Sequence, residues 1–116
     1  MGDGAFLMSA AEIETAVREH APFVILVWVD GGYGLIGWKQ DIHFGRQAAV
    51  SFGNPDFVQL AESFGARGYQ IGAADELLPA LRKALDDDVV SVIACPVDYR
   101  ENARLIERLG TLIEPI

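Results

Sequence analysis

The run Phe23-Val24-Ile25-Leu26-Val27-Trp28-Val29 is apolar at every position. A strand with no polar alternate has no face to offer water, which predicts burial on both sides, as in a parallel sheet covered by helices. Ahead of it, Ile13, Ala16 and Val17 fall at helical spacing, while Ser9 with Glu12 has the spacing of a capping box and Met8 with Ile13 that of a hydrophobic staple. These positions predict a helix from near Ala10 to about His20, stopped by Pro22. After the run, Gly31, Gly32 and Gly34 permit a tight turn into a short helix over roughly 33–40. Positions 41–53 show no period and predict a loop over the sheet edge.

Asn54-Pro55 reads as the cap and first position of the next helix, with Phe57, Leu60, Ala61 and Phe64 facing inward and Gly65 as terminator. A short strand over 67–71 follows. The next helix, around 75–86, has Leu77, Leu78, Leu81 and Leu85 as its apolar face. Pro79 requires that this helix either begin close to it, where the lost N–H matters least, or kink there. Val89 to Ala94, apolar apart from Ser91, predicts a second strand ending at Pro96, and Asp98 with Glu101 has capping spacing for a last helix ending at Gly110. Alternating strands and helices imply an α/β, doubly wound, mostly parallel sheet with helices on both faces.

A chain of 116 residues that is 51% hydrophobic can build one domain with a real core. A net charge of −8 and scattered Lys and Arg argue against nucleic acid, whose phosphates would be repelled. Cys95 is the single cysteine, so an internal disulfide is excluded. With no long apolar span and no signal-like amino terminus, a cytoplasmic protein with no membrane partner is expected.

The candidate chemistry lies at Asp3, inside Gly2-Asp3-Gly4, and at Asp30, which closes the apolar run. The 27 positions from one to the other accommodate a helix and a buried strand, so both carboxylates can meet at the carboxyl edge of a parallel sheet, where open α/β folds bind ligands. Two carboxylates and a carbonyl from a glycine-rich turn are hard oxygen donors suited to Mg²⁺. The glycines and a helix opening near Tyr33 suit phosphate oxygens. The same residues equally suit a turn and a solvated helix cap, and at this point both readings stand.

GDGAF, followed after a helix and a strand by VWVDGGYG, resembles the thiamin diphosphate motif of the enzymes that use that cofactor. The resemblance implies Asp3 as first metal ligand, Asp30 as second and the Gly32 carbonyl as third. It also implies backbone contacts to the diphosphate from Gly4, Ala5, Gly32, Tyr33 and Gly34. GNPDFVQLAESFGARGYQI and CPVDYRENARLIERLG resemble the end of acetolactate synthase catalytic subunits, and PVDYREN with an aspartate as second ligand is similar to the catabolic, flavin-independent type. Thiamin diphosphate and Mg²⁺ are then the expected cofactors and a 2-oxo acid, pyruvate, the expected substrate. Val29 departs from the asparagine pair usual in the motif. Lys39 stands near a substrate-pocket position of the family, with Trp38 beside it, so these two are the candidate pocket residues.

In the family, GDG follows a central strand and two further domains. The resemblance therefore implies that residues 1–116 are a partial C-terminal, diphosphate-binding domain, with the pyrimidine-binding domain and all catalytic residues elsewhere and a homo-oligomer as the assembly. Alone, the piece is expected to be inactive, with weak or absent metal binding. A terminus two residues from Asp3 frays, and fixing a backbone costs about 1–2 kcal/mol per residue. An apolar strand edge left open would also pair between copies. The rivals are another thiamin diphosphate decarboxylase or carboligase, a receiver-like signalling module, and a non-catalytic scaffold. His20 and His43 are expected as capping or solvated residues, Cys95 as a core residue, and Asp86, Asp87 and Asp88 as a solvated loop.

Overall fold

The computed structural model describes residues 1–99. The helix expected to follow Asp98 and end at Gly110 lies, from residue 100 on, outside them. Three strands, β1 (Val24–Val29), β2 (Arg67–Gln70) and β3 (Ser91–Pro96), form an all-parallel sheet in the order β1-β3-β2. β3 is the centre and is buried along its length to Cys95.

Alternation along β3 divides the core in two. Val92 and Ala94 face α1 (Asp3–Ser9), α2 (Glu12–Arg18) and α4 (Phe57–Ser63), in a cluster with Phe6, Ile13, Val27, Phe57 and Ala61. Ile93 and Cys95 face α5 (Leu77–Asp86), with Ala84, Leu77, Ala80 and Leu81. Helices on both faces of a parallel sheet are the architecture that the sequence predicts. α3 (Gly34–Phe44) stands apart from both clusters.

Several boundaries differ from expectation. The helix expected from near Ala10 is α2, but a further helix, α1, precedes it from Asp3, and no capping box forms. Ala10 and Ala11 both keep right-handed helical backbone, so no extended cap position exists near Ser9. The Ser9 hydroxyl donates back to the Ala5 carbonyl instead (3.4 Å). Ile13 and Ala16 are buried as expected.

β1 is an edge strand and only half-buried except at Val27, yet both its faces meet the core as its composition suggests, Ile25, Val27 and Val29 on one side and Val24, Leu26 and Trp28 on the other. Among the described residues, its outer side is hydrogen-bonded to the chain's first residues. The Met1 amino group donates to the Leu26 carbonyl (2.8 Å), and the Trp28 N–H donates to the Met1 carbonyl (2.8 Å).

α3 runs to Phe44, a turn beyond the predicted end, and Gly45 closes it at φ 63°. The remainder of 41–53 is a loop, as expected, and it returns to the strand-end turn. α5 starts after a short 3₁₀ turn at Ala74–Glu76, which places Pro79 in its first turn, where its missing N–H is harmless. Its buried stripe is Leu77, Ala80, Leu81 and Ala84, whereas Leu78 and Leu85 are exposed, contrary to the predicted face. The acidic run is not simply solvated. Asp87 accepts from the Tyr69 hydroxyl and pairs with Arg67 at 3.6 Å, tying β2 to the end of α5. No helix among the described residues is long and apolar enough to cross a membrane.

Candidate functional site

Asp3 opens α1 and is only 1% exposed. Its carboxylate is the hub of the sheet's carboxyl edge. Oδ1 accepts from the Gly4 N–H (2.8 Å), and Oδ2 accepts from the N–H groups of Asp30 (3.1 Å) and Gly31 (2.8 Å) and from Asn54 Nδ2 (2.7 Å). Burial raises the Asp3 pKa, but these four hydrogen bonds outweigh it and hold the carboxyl below the ordinary aspartate range. The start of the chain, expected to fray, is hydrogen-bonded along β1 instead. Met1 is tied to β1, Gly2 bridges Trp28, and Asp3 is enclosed.

Asp30 leaves β1 into the glycine turn and is exposed. Its carboxyl is shifted upward, first by partial desolvation and then by the neighbouring Asp3 charge, against an opposing hydrogen bond from the Gly32 N–H. The two carboxylates thus share one sheet edge, as the spacing implied, with opposed pKa shifts. Gly31 holds φ 73°, a conformation that suits glycine. At Gly34, a Cβ would stand 2.9 Å from Asp30 Oδ2.

The returning loop secures the turn. Tyr33 N–H donates to the Val50 carbonyl (2.8 Å) and Phe52 N–H to the Gly31 carbonyl (3.0 Å), while the Tyr33 and Phe52 rings pack at 5.0 Å. The Gly32 carbonyl accepts no backbone hydrogen bond among the described residues. α3 opens without a side-chain cap, which leaves its first N–H groups available at Gly34 and Leu35.

Of the other residues read from the sequence, Gly4 lies buried beneath the Tyr33 ring and Ala5 is exposed on α1. Trp38 and Lys39 are exposed on α3. Neither lines the cleft of about 220 Å³ at the strand ends, whose walls include Val29, Asn54, Gln70 and Pro96. His20 and His43 are exposed. Cys95 is buried, and burial pushes its thiol up, away from nucleophilic use.

Asn54 is the residue whose role sequence reasoning missed. It was expected to cap α4, but Asp56 does so, accepting from the Gln59 N–H (3.0 Å). Asn54 instead reaches Asp3 across 51 positions, and its own Oδ1 is buried without a partner. Asn-Pro at a helix start satisfies the capping pattern so well that it hides this contact.

Among the described residues no group of three or more His, Cys, Asp or Glu side chains converges. The donors on offer are two carboxylates and the open Gly32 carbonyl, an all-oxygen set fitting a hard divalent cation that completes its shell with phosphate and water. The uncapped start of α3 fits the phosphates. The residues present therefore suit both Mg²⁺ and a diphosphate.

Residues 1–95 match the family model described as thiamine pyrophosphate enzyme, C-terminal TPP binding domain. The catabolic acetolactate synthase of Raoultella terrigena is 45% identical over 108 residues, which are 93% of this chain and 19% of that protein. An acetolactate synthase of Bacillus subtilis is 45% identical over 104 residues, 90% of this chain and 18% of that protein. The thiamine diphosphate-dependent 4-hydroxybenzoylformate decarboxylase of Rhodococcus jostii superposes with a TM-score of 0.80 at 27% identity, over 87% of this chain and 19% of that one. The chain thus spans about a fifth of the length of these relatives. Its fold, its motif and its relatives agree: the chain belongs to the thiamine pyrophosphate enzymes, within their C-terminal TPP-binding domain family.

Proposed function

We propose that this chain is the diphosphate- and Mg²⁺-holding part of an acetolactate synthase-like enzyme, one that joins two pyruvates into 2-acetolactate with loss of CO₂. The observation that carries this reading is the buried Asp3 carboxylate, hydrogen-bonded to the backbone of the Asp30-Gly31 turn. That contact brings two carboxylates and an open carbonyl to the start of α3.

Asp3, Asp30 and the Gly32 carbonyl would hold the cation. Gly4, Ala5, Gly32, Tyr33 and Gly34 would offer backbone groups to the diphosphate. When bound, the cofactor supplies the nucleophilic carbon and the electron sink for decarboxylation. The residues of this chain bind and orient. The turn fixes the carboxylate positions, the α3 amides receive the negative charge, and the Tyr33–Phe52 pair packs over Gly4 at the start of α1. No residue here is assigned a proton transfer. Trp38 and Lys39 belong to the substrate side in this reading.

Acetolactate synthase is favoured over the other activities of the family by the 45% identity to two such enzymes. A decarboxylase is the second reading, supported by the superposition on the 4-hydroxybenzoylformate enzyme. Product analysis with pyruvate separates them, on a protein that also contains a pyrimidine-binding domain. 2-Acetolactate is expected, and release of acetaldehyde alone favours the decarboxylase. The working assembly is a homo-oligomer in the cytoplasm, and residues 1–116 alone turn over no substrate. For the site itself, Mg²⁺ with thiamin diphosphate is titrated into wild type and Asp30→Ala. The wild type is expected to bind more tightly, and equal binding removes Asp30 from the ligand set.

A further inference from the structure

The two oxygens of Asp3 are unequally used. Oδ2 takes three donors, from Asp30 N–H, Gly31 N–H and Asn54 Nδ2, whereas Oδ1 takes one, from Gly4 N–H. A carboxylate oxygen has about two lone-pair directions, so Oδ2 is saturated and Oδ1 keeps room for a cation. Two of the three donors to Oδ2 are backbone groups fixed by the turn. The third is a side chain, and it is also the shortest contact.

Asn54 makes that contact at the expense of its own carbonyl oxygen, which is buried and unpaired. Turning the amide over would set an oxygen against the Asp3 carboxylate and strand the NH₂ as well. A buried polar atom left without a partner is uncommon and works against stability. Local discord of this kind concentrates where function requires it. The helix that follows gains nothing from Asn54, since Asp56 caps it.

We propose that Asn54 is a positioning residue: by occupying Oδ2 it commits Asp3 to a single cation-facing oxygen, Oδ1. This rests on the reading of Asp3 as a metal ligand. One-oxygen ligation suits Mg²⁺, which demands a near-octahedral shell, and handicaps Ca²⁺, which accepts both oxygens of a carboxylate and a looser shell. Asn54 thereby sets the preference between the two ions.

The test titrates MgCl₂ and CaCl₂ separately, each with thiamin diphosphate, into wild type, Asn54→Leu and Asn54→Ala, each in a protein that also contains a pyrimidine-binding domain. Heat of binding is the readout, and a thermal melt of each protein accompanies it. Leu keeps the bulk without the donor, and Ala guards against a Leu variant that fails to fold. Mg²⁺ affinity is expected to fall about tenfold or more in both variants, the usual effect of losing an outer partner of a ligand, with Ca²⁺ affinity nearly unchanged. An equal fall for both ions, or no fall for either, overturns the positioning role and leaves the ligand reading standing. A wild type that takes up neither ion overturns both.

Discussion

α3 and α5 are nearly the same length, and each follows the carboxyl end of a strand, yet they are held in different ways. α5 buries a stripe of Leu77, Ala80, Leu81 and Ala84 against Ile93 and Cys95. α3 buries Gly37 alone and exposes Leu35, Ile36, Trp38, Ile42 and Phe44. Its anchors are at its two ends and along the returning loop. Tyr33 N–H is bonded to Val50, Gln40 is bonded twice to Ala48, and Gly45 closes the last turn. One helix completes the core, and the other presents its amino end to the site. Apolar content therefore does not distinguish them, but contact with β3 does.

The largest effect that would break this contrast lies in the core. Ile93→Ala removes a fully buried side chain between the central strand and α5, and is expected to lower unfolding free energy by about 2–5 kcal/mol in a urea titration. Phe44→Ser, at a side chain 73% exposed on α3, is expected to stay within about 0.5 kcal/mol of wild type in the same experiment. Comparable losses would mean that α3 contributes to the core after all.

The next effect sharpens the site end. Asp3→Leu strands the Gly4, Asp30 and Gly31 N–H groups and the Asn54 amide, and is expected to cost on the order of 3 kcal/mol as well as metal uptake. A variant as stable as wild type would show that the hub does not hold the sheet edge together.

The pH response of the two carboxylates has opposite signs. The Asp3 pKa is lowered on folding, so its contribution is present above the ordinary value of 3.8 and is lost as pH falls through the lower folded value. The Asp30 pKa is raised, so its contribution is present below 3.8 and is lost as pH rises through the higher folded value. Asp30→Asn is therefore expected to raise the melting temperature slightly at neutral pH, a gain that disappears in acid. A gain that grows in acid would reverse the assignment.

A loss smaller than those at Ile93 and Asp3 belongs to the tie at the far end of α5. Tyr69→Phe removes the hydroxyl bonded to Asp87 and is expected to cost about 1 kcal/mol, without any change in metal or diphosphate binding.

The alternation of strand and helix, the inward faces of α2 and α4, and the meeting of Asp3 with Asp30 were all legible in the sequence, because each rests on local periodicity or on a spacing that topology preserves. What was not legible depends on partners far along the chain. Whether β1 is central or at an edge depends on which strands flank it, and its composition is the same in either case. Leu78 and Leu85 are as apolar as Leu77 and Leu81, and only the placement of α5 over Ile93 selects between the pairs. Asn54 is the sharpest case, since its local pattern serves a helix start while its side chain serves a residue 51 positions away.

The way Met1 lies along β1 has a practical corollary. Its nitrogen already donates to Leu26 and its carbonyl already accepts from Trp28, in parallel register. A peptide fused ahead of it keeps that nitrogen as an amide donor and is led along the flank of residues 24–26. An affinity tag or fluorescent label at this end would thus enter the sheet as a fourth strand's beginning, and any measurement made through it would report on β1 as much as on the handle itself.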